Sequence, residues 1–306
     1  ITIAKTYNLD SDGVLSRLKQ LTWSPRQVAF GMVAHKVFEK YQEKLEKNNR
    51  IDFPDMINKA NDFLAKDSEF YQDTYDHILI DEYQDISAQR YTLTKLLMEK
   101  NPSCKLFCVG DDWQSIMGFS GSNLNYFVNF NKYFPYPART DLTTNYRSFK
   151  TIVDAGRAII KNNGSAQIAK KSISKSDIQS PIQVYSSMHG KSYFMPYYRQ
   201  IAQHSLDAIK ELKEERNYKY GDYMILMRIA KKEKLKNALY EYAQKVGVPL
   251  TENPNDPNKV TVMSVHKSKG LQSKVVIILN VDKGLYGFPC ELESPDFFET
   301  AILDND

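Results

Sequence analysis

A cluster of carboxylates follows a short apolar segment in HILIDEYQDIS, residues 77–87. The apolar part predicts a buried strand of a parallel sheet, and the carboxyl ends of such strands line the crevice where ligands bind. Asp81 and Glu82 repel each other there, and a magnesium ion with a polyphosphate relieves the repulsion. One of the two carboxylates could hold the metal, and the other could accept a proton from attacking water. The alternative is that Asp85 and Ser87 make this run a helix cap.

A second apolar segment, KLFCVG, also ends in polar residues, in GDDWQSIMGFSGS. The amide of Gln114 both donates and accepts hydrogen bonds, so it could contact a terminal phosphate and the attacking water together. Phe119 follows in a loop of small residues, where an aromatic ring is suited to stacking on a nucleic acid base. A ring that only anchors the loop is the alternative.

A guanidinium follows in NYRS. Arg147 is expected in the first helix of a second domain, where it could reach across a cleft and stabilise charge on a transferring phosphoryl group. A salt bridge from Arg147 to the acidic cluster is the alternative.

Two predicted strands are joined by a loop in VTVMSVHKSKGLQSKVVIILN. The loop combines a hydroxyl, two ammonium groups and a glycine, which predicts contacts to phosphates. Its residues are His266, Lys267, Ser268, Lys269 and Gly270. A structural role is the alternative for His266.

The composition is that of a globular protein with room for two domains: 306 residues, 42% hydrophobic and 25% charged. A net charge of +4 is compatible with a nucleic acid partner and equally with an ordinary surface. No apolar run is long enough to cross a membrane.

The three cysteines form no CxxC pair, which argues against disulfides and a zinc site. Cys104 and Cys108 are expected to be free thiols in the core. A cytoplasmic location is expected. The first residue is Ile1 and not Met, so the sequence leaves open whether a secretory signal lies upstream of it.

The first third of the chain has helical periodicity, and from His77 onward short apolar strands alternate with helices. This alternation predicts parallel sheets that are covered on both faces. PIQVYSS is among the predicted strands. Turn-forming residues predict loops at 135–140, 172–181 and 251–259. The first loop marks the expected boundary between domains 1–137 and 138–306.

Together and in order, four motifs resemble those of the UvrD, Rep and PcrA group of superfamily 1 DNA helicases. DEYQD is similar to their motif II, GDDWQSI to motif III, NYRS to motif IV and VHKSKGLQ to motif V. The stretch VFEKYQEKLEKNNRIDFPDMI also resembles the helical segment that precedes motif II in that family. The resemblance covers most of the chain. Each motif alone is weak evidence for this helicase family, but the four in this order are specific to it.

The resemblance implies an α/β fold with two RecA-like parallel-sheet domains of the P-loop NTPase type. The first domain would be incomplete, with a helical N-terminal insertion and motifs II and III, and the second would carry motifs IV and V. ATP and Mg²⁺ would bind between the domains, with Asp81 on the metal, Glu82 on the water and Gln114 on the γ-phosphate.

The same resemblance makes Arg147 one of two arginine fingers and Phe119 a ring that stacks on single-stranded DNA. In motif V it implies contacts to nucleotide and DNA, the former through Gly270 and Gln272 and the latter through His266, Ser268 and Lys269.

The chain also departs from the family pattern. Gln272 stands where motif V usually has Glu near the ribose, so recognition of the sugar could differ. Met117 and Ser120 stand where relatives carry Tyr and often Arg, next to the expected DNA contact. The interval from Arg147 to His266 is too short for the large helical insertion of UvrD and Rep. A compact second domain, Gln272 and YGFP resemble bacterial helicase IV more closely.

Two family parts are absent from the 306 residues: the P-loop GxxxxGK followed by Ser or Thr, and the arginine of motif VI. The chain is therefore expected to be an internal part of an ATP-dependent helicase or translocase that moves 3′ to 5′ on single-stranded DNA and unwinds duplex. By itself it is expected to lack ATPase activity. The alternative is a non-catalytic module that binds single strands or protein partners. A metal nuclease built on Asp81, Glu82 and Asp111 is a third hypothesis.

Overall fold

The computed structural model describes most of the chain in two compact units. The described residues are 1–20, 23–66, 69–164, 167–178, 180, 182–186, 195–228, 233–284 and 288. Those up to residue 180 form the first unit, and those from residue 182 onward form the second. The domain boundary expected at residues 137 and 138 stays a prediction.

The first unit opens with four helices, which confirms the helical character of the first third of the chain. They are α1 (Thr2–Thr6), α2 (Ser11–Gln20), α3 (Pro25–Lys47) and α4 (Phe53–Lys66). Helix α3 begins at a capping box, in which the Ser24 hydroxyl accepts from the Gln27 backbone and the Gln27 side chain accepts from the Ser24 backbone.

The two strands that lead into the acidic motifs form a parallel pair. They are β1 (His77–Ile80) and β2 (Lys105–Cys108), with α5 (Ala88–Lys100) between them in the chain. The predicted burial is wrong on one face, since Leu79 is 71% exposed and Phe107 is 61% exposed. In the described residues this sheet has only two strands, and that face of it is largely exposed to solvent.

The rest of the first unit contains a second parallel pair of strands. The elements are α6 (Asn125–Val128), α7 (Phe130–Tyr133), β3 (Thr144–Phe149), α8 (Lys150–Ile160) and β4 (Ile173–Ser176). The expectation that Arg147 lies in a helix is wrong, because its segment forms β3 and α8 starts three residues later. The expected loop at 172–181 contains β4, which pairs with β3 although its own sequence is polar.

The second unit is a four-stranded parallel sheet in the order β6-β7-β5-β8. Its elements are α9 (Met195–Arg216), β5 (Tyr223–Met227), α10 (Glu233–Val246), β6 (Leu250–Thr251), β7 (Val260–Ser264) and β8 (Val275–Ile278). Side chains from α9, α10, β5 and β7 form the core, among them Leu206, Ile209, Ile225, Leu239 and Val260. The strand predicted over PIQVYSS is wrong for residues 182–186, which have no regular structure and no partner strand among the described residues.

The protein is thus a mixed α/β structure with small parallel sheets, and the assignment of two RecA-like domains stays a prediction. Cys104 is buried, Cys108 is partly buried, and both are free thiols, as expected; Cys290 lies outside the described residues. In the part of the chain that the structure describes, no helix is both long and apolar enough to span a membrane.

Candidate active site

The two acidic residues of motif II lie exposed at the carboxyl end of β1. Glu82 has a φ of 51° and a ψ of 41°, the left-handed conformation that costs a residue with a Cβ atom about 1–2 kcal/mol. The Asp81 side chain supports this turn, because its Oδ1 accepts the backbone N–H of Glu82 at 2.8 Å. A strained backbone that its neighbours hold in place is typical of functional sites.

The loops that carry motifs II and III begin side by side. Strands β1 and β2 run in register, with Ile80 opposite Cys108, so both loops leave the same edge of the sheet. Two backbone hydrogen bonds extend the pairing past the strands: Val109 N–H donates to Ile80, and Tyr83 N–H donates to Val109, both at 2.9 Å. The topology therefore brings the acidic turn next to the loop of Gln114.

Gln84 links the two loops, and the sequence analysis assigned it no role. Its side chain is fully buried. Its Nε2 donates to Glu82 Oε2 at 2.5 Å, and its Oε1 accepts the backbone N–H of Asp111 at 2.9 Å. The carboxylate and the N–H together fix the orientation of the amide, because the reverse orientation would leave both contacts unmatched. Gln84 thus orients the predicted catalytic acid against motif III.

Gly110 has no room for a side chain at this junction. A Cβ atom there would lie 2.6 Å from Gln84 Oε1 and 3.0 Å from the ring of Phe127. We expect Gly110→Ala to lower the free energy of unfolding by about 1–3 kcal/mol, because buried groups must move to admit the methyl group. Urea unfolding measures the change.

The matched control for that substitution is Gly118→Ala, also in the motif III loop. A Cβ atom at Gly118 meets nothing within 4 Å, so its unfolding free energy should change by less than about 0.5 kcal/mol. Equal effects of the two substitutions would show that the contact with Gln84 does not constrain this junction.

Motif III is organised by Asp111. Its Oδ1 accepts the Trp113 backbone N–H at 3.2 Å, which starts a short 3₁₀ turn over Asp112–Gln114. Its Oδ2 accepts from Nε2 of Gln114 at 2.8 Å, and Lys170 forms an ion pair with the same carboxylate. Burial alone would raise the pKa of Asp111. The hydrogen bond from Lys170, the hydrogen bond from Gln114 and the positive charge of Lys170 outweigh burial and lower that pKa from its ordinary value. Asp111 therefore stays ionised at neutral pH and holds an exposed Gln114.

The aromatic ring of motif III is presented to solvent. Phe119 is 64% exposed, in a 3₁₀ turn over Gly118–Ser120. The turn ends at Gly121, whose φ of 91° and close approach to the Thr6 side chain both require glycine. The ring of Phe119 is therefore accessible from solvent, and its stacking on DNA stays a prediction.

Arg147 lies on β3 with its side chain exposed. The Asn145 side chain holds this part of the strand, because its Oδ1 accepts the backbone N–H of Arg147 at 3.0 Å and that of Ser148 at 2.9 Å. None of the ion pairs among the described residues involves Arg147, so they do not support the alternative of a salt bridge to the acidic cluster. Its role as an arginine finger stays a prediction.

Motif V forms a turn in the second unit, over residues 265–270 directly after β7. The Ser268 hydroxyl donates to the Val265 carbonyl at 2.9 Å, and Gly270 closes the turn with a φ of 79°. Partial burial lowers the pKa of His266 below 6.5, and the charge of Arg228 lowers it further. His266 is therefore neutral at pH 7. Lys269 follows within the same turn and Gln272 lies just after it, and the contacts predicted for these residues stay predictions.

The carboxylate pair suits a magnesium ion that arrives with a nucleotide. No group of three or more His, Cys, Asp or Glu side chains among the described residues could hold a metal ion by itself. Magnesium bound to nucleotides needs only one or two protein carboxylates, since water and phosphate oxygens fill its other positions. Asp81 and Glu82, exposed at the edge of the sheet, fit that requirement.

Residues 4–135 match the family model of the UvrD/REP helicase N-terminal domain. The ATP-dependent DNA helicase PcrA of Leuconostoc citreum is 31% identical over 234 residues, 71% of this chain and 29% of that protein. DNA helicase IV of Escherichia coli strain K12 is 30% identical over 267 residues, 87% of this chain and 35% of that protein. The chain belongs to the UvrD/PcrA-like superfamily 1 helicases.

Membership of this helicase family confirms the resemblance inferred from the four motifs. The family model spans both acidic motifs, so Asp81, Glu82, Gln114 and Phe119 all lie within the matched residues. The PcrA of Staphylococcus aureus strain Mu50 is 33% identical over 178 residues, 53% of this chain and 24% of that protein. The chain thus spans about a third or less of the length of these helicases.

Proposed function

We propose that this chain carries part of the ATPase site and part of the DNA contacts of a helicase that moves 3′ to 5′ on single-stranded DNA and unwinds duplex. One observation supports this most: the buried Gln84 amide ties Glu82 to the backbone of Asp111. Gln84 therefore links Glu82, which would activate water, to the loop of Gln114, which would contact the γ-phosphate. Such a link is needed where ATP hydrolysis drives movement along DNA.

Each side chain then has a distinct part in hydrolysis. The bound nucleotide and Mg²⁺ supply the phosphoryl group and neutralise its charge. Asp81 would hold the metal, and Glu82 would orient the attacking water and take its proton. Gln114 would contact the γ-phosphate, and Arg147 would stabilise charge that develops on the transferring group.

The DNA contacts divide between the two units. Phe119 would stack on a base of the single strand, and His266, Ser268 and Lys269 would contact the DNA near motif V. Gly270 and Gln272 would lie on the nucleotide side of the same turn. We propose a cytoplasmic protein in which residues 1–137 and 138–306 belong to different RecA-like domains, as the motif order implies.

We propose further that the 306 residues alone do not hydrolyse ATP, because they contain no P-loop. Turnover is therefore to be measured on the full-length protein.

The test of the DNA assignment is Phe119→Ala in that protein. Loss of one stacked base costs about 1–3 kcal/mol, so affinity for single-stranded DNA should fall about 5- to 150-fold. Affinity for ATP should stay within about twofold, because Phe119 lies on a separate turn from Glu82 and Gln114. Fluorescence anisotropy with a labelled oligonucleotide measures the first, and a fluorescent ATP analogue measures the second.

Tyr136→Ala is the matched control, since Tyr136 is an aromatic residue with 99% exposure and lies outside the motifs. It should leave both affinities unchanged. If Phe119→Ala instead weakened ATP binding and spared DNA binding, the ring would have a structural role. Tight DNA binding by a wild-type protein that never hydrolyses ATP would favour the non-catalytic module.

A further inference from the structure

Lys170 lies outside all four motifs, yet its ammonium group reaches the loop of Gln114. It forms ion pairs with both Asp111 and Asp112, and it lies 4.8 Å from the centroid of the Trp113 ring. The lysine side chain is only 19% exposed, and that of Asp112 is only 1% exposed. Charges so far removed from water are tolerated only when they are well paired.

The backbone near Lys170 is attached to the same turn. The Ile168 N–H donates to Asp112 Oδ2 at 2.7 Å. Ile168 and Lys170 thus hold the 3₁₀ turn of motif III, although both lie more than fifty residues after it in the chain. A single surface ion pair would be a weak link, but this contact combines two carboxylates, a backbone donor and an aromatic ring.

Through Asp111, Lys170 also acts on Gln114, the residue predicted to contact the γ-phosphate. The carboxylate faces Lys170 on one side, and on the other its Oδ2 accepts from Gln114 Nε2 at 2.8 Å. A carboxylate fixed by an ammonium group keeps one rotamer, and it therefore keeps the Gln114 amide in one orientation. Without Lys170, Asp111 would be partly buried and lack its counter-charge, and it would turn towards water.

Lys170 also stands close in the chain to the strand pair that carries Arg147. Three residues beyond Lys170, Ile173 begins β4 and pairs with Thr144 at the start of β3. Arg147 lies on β3, three residues after Thr144. Because Lys170 is paired with the Gln114 loop, a movement of that loop would also shift the strand pair β3 and β4.

We propose that Lys170 is a positioning residue that fixes Gln114 through Asp111 and couples the motif III loop to the strand pair that carries Arg147. The proposal rests on the proposed function, because it assumes that Gln114 contacts the γ-phosphate.

Lys170→Met in the full-length protein tests the proposal. The kcat for DNA-stimulated ATP hydrolysis should fall about tenfold, because a catalytic group loses its fixed orientation. The KM for ATP should stay within about threefold, since Lys170 itself does not bind nucleotide. Lys170→Arg keeps the charge and should recover most of kcat. Lys170→Gln, which keeps a polar group in place, serves as a second variant if Lys170→Met folds poorly.

The fluorescence of Trp113 gives a readout that does not depend on turnover. With every other tryptophan replaced by Phe, its emission should change in Lys170→Met, since the ammonium group no longer lies against the ring. Lys236→Met is the matched control: Lys236 pairs with Glu252 and lies 5.8 Å from the centroid of the Tyr240 ring, in the second unit. It should change neither kcat nor the Trp113 emission.

The outcomes separate this proposal from the proposed function. A wild-type protein without DNA-stimulated hydrolysis would overturn both. With an active wild type, an unchanged kcat in both Lys170→Met and Lys170→Gln would overturn the positioning role alone. A KM raised more than tenfold with kcat unchanged would also overturn it, because Lys170 would then be a nucleotide ligand.

Discussion

Glu82→Gln in the full-length protein should reduce ATP turnover about 10²- to 10⁴-fold, the usual contribution of a general base. The amide has the size of the carboxylate and can still accept from Gln84, so the turn should keep its shape, but at neutral pH it cannot take a proton from water. ATP affinity should stay within about threefold, because the residue acts on water and not on the nucleotide. Steady-state turnover and equilibrium binding of a fluorescent ATP analogue give the two values.

Glu99→Gln is the control for removing one carboxylate. Glu99 is exposed on α5, where it pairs with Lys95 at 3.8 Å, and its loss should change turnover less than twofold. If Glu82→Gln retained DNA-stimulated turnover, the water-activating role would belong to another group, and the strain at Glu82 would need another explanation.

Arg147→Ala should lower kcat about 10³-fold or more, the effect of losing an arginine finger. Its side chain is exposed on β3 and has no ion pair among the described residues, so its loss should leave the unfolding free energy nearly unchanged. Arg147→Lys should recover little, because an ammonium group cannot donate two parallel hydrogen bonds to a phosphoryl group. Comparison of kcat with the thermal midpoint separates a catalytic loss from a structural one.

Arg139→Ala is the matched control for Arg147. Arg139 is a nearby exposed arginine that pairs with Asp141 at 2.8 Å and belongs to no motif. It should leave kcat within twofold. A loss of thermal stability that accounted for the whole effect of Arg147→Ala would assign Arg147 a structural role.

The chemistry of the site could be predicted from the sequence where it depends on neighbours in the chain. An apolar strand followed at once by Asp81 and Glu82 needs only local periodicity to be recognised, and the same holds for the strand before Asp111. The structure confirms both strands and brings their ends together. The family match confirms the helicase resemblance that the ordered motifs indicated.

Contacts that depend on distant parts of the chain could not be predicted in this way. Lys170 lies in a segment of ordinary polar composition, and nothing local indicates that it pairs with Asp111. Gln84 was visible in DEYQD, but its role follows only from complete burial between two loops. The strand at Arg147 exists because β4 pairs with it, and the polar sequence of β4 carries no strand pattern of its own.

The most direct test of the central claim is strand displacement by the full-length protein with ATP and Mg²⁺. Duplexes of equal length carry a single-stranded tail at either the 3′ or the 5′ end. We expect unwinding of the 3′-tailed duplex only, and none with a non-hydrolysable ATP analogue or with Glu82→Gln. Equal binding of both duplexes with no separation of strands under any nucleotide condition would contradict the account and favour a DNA-binding module.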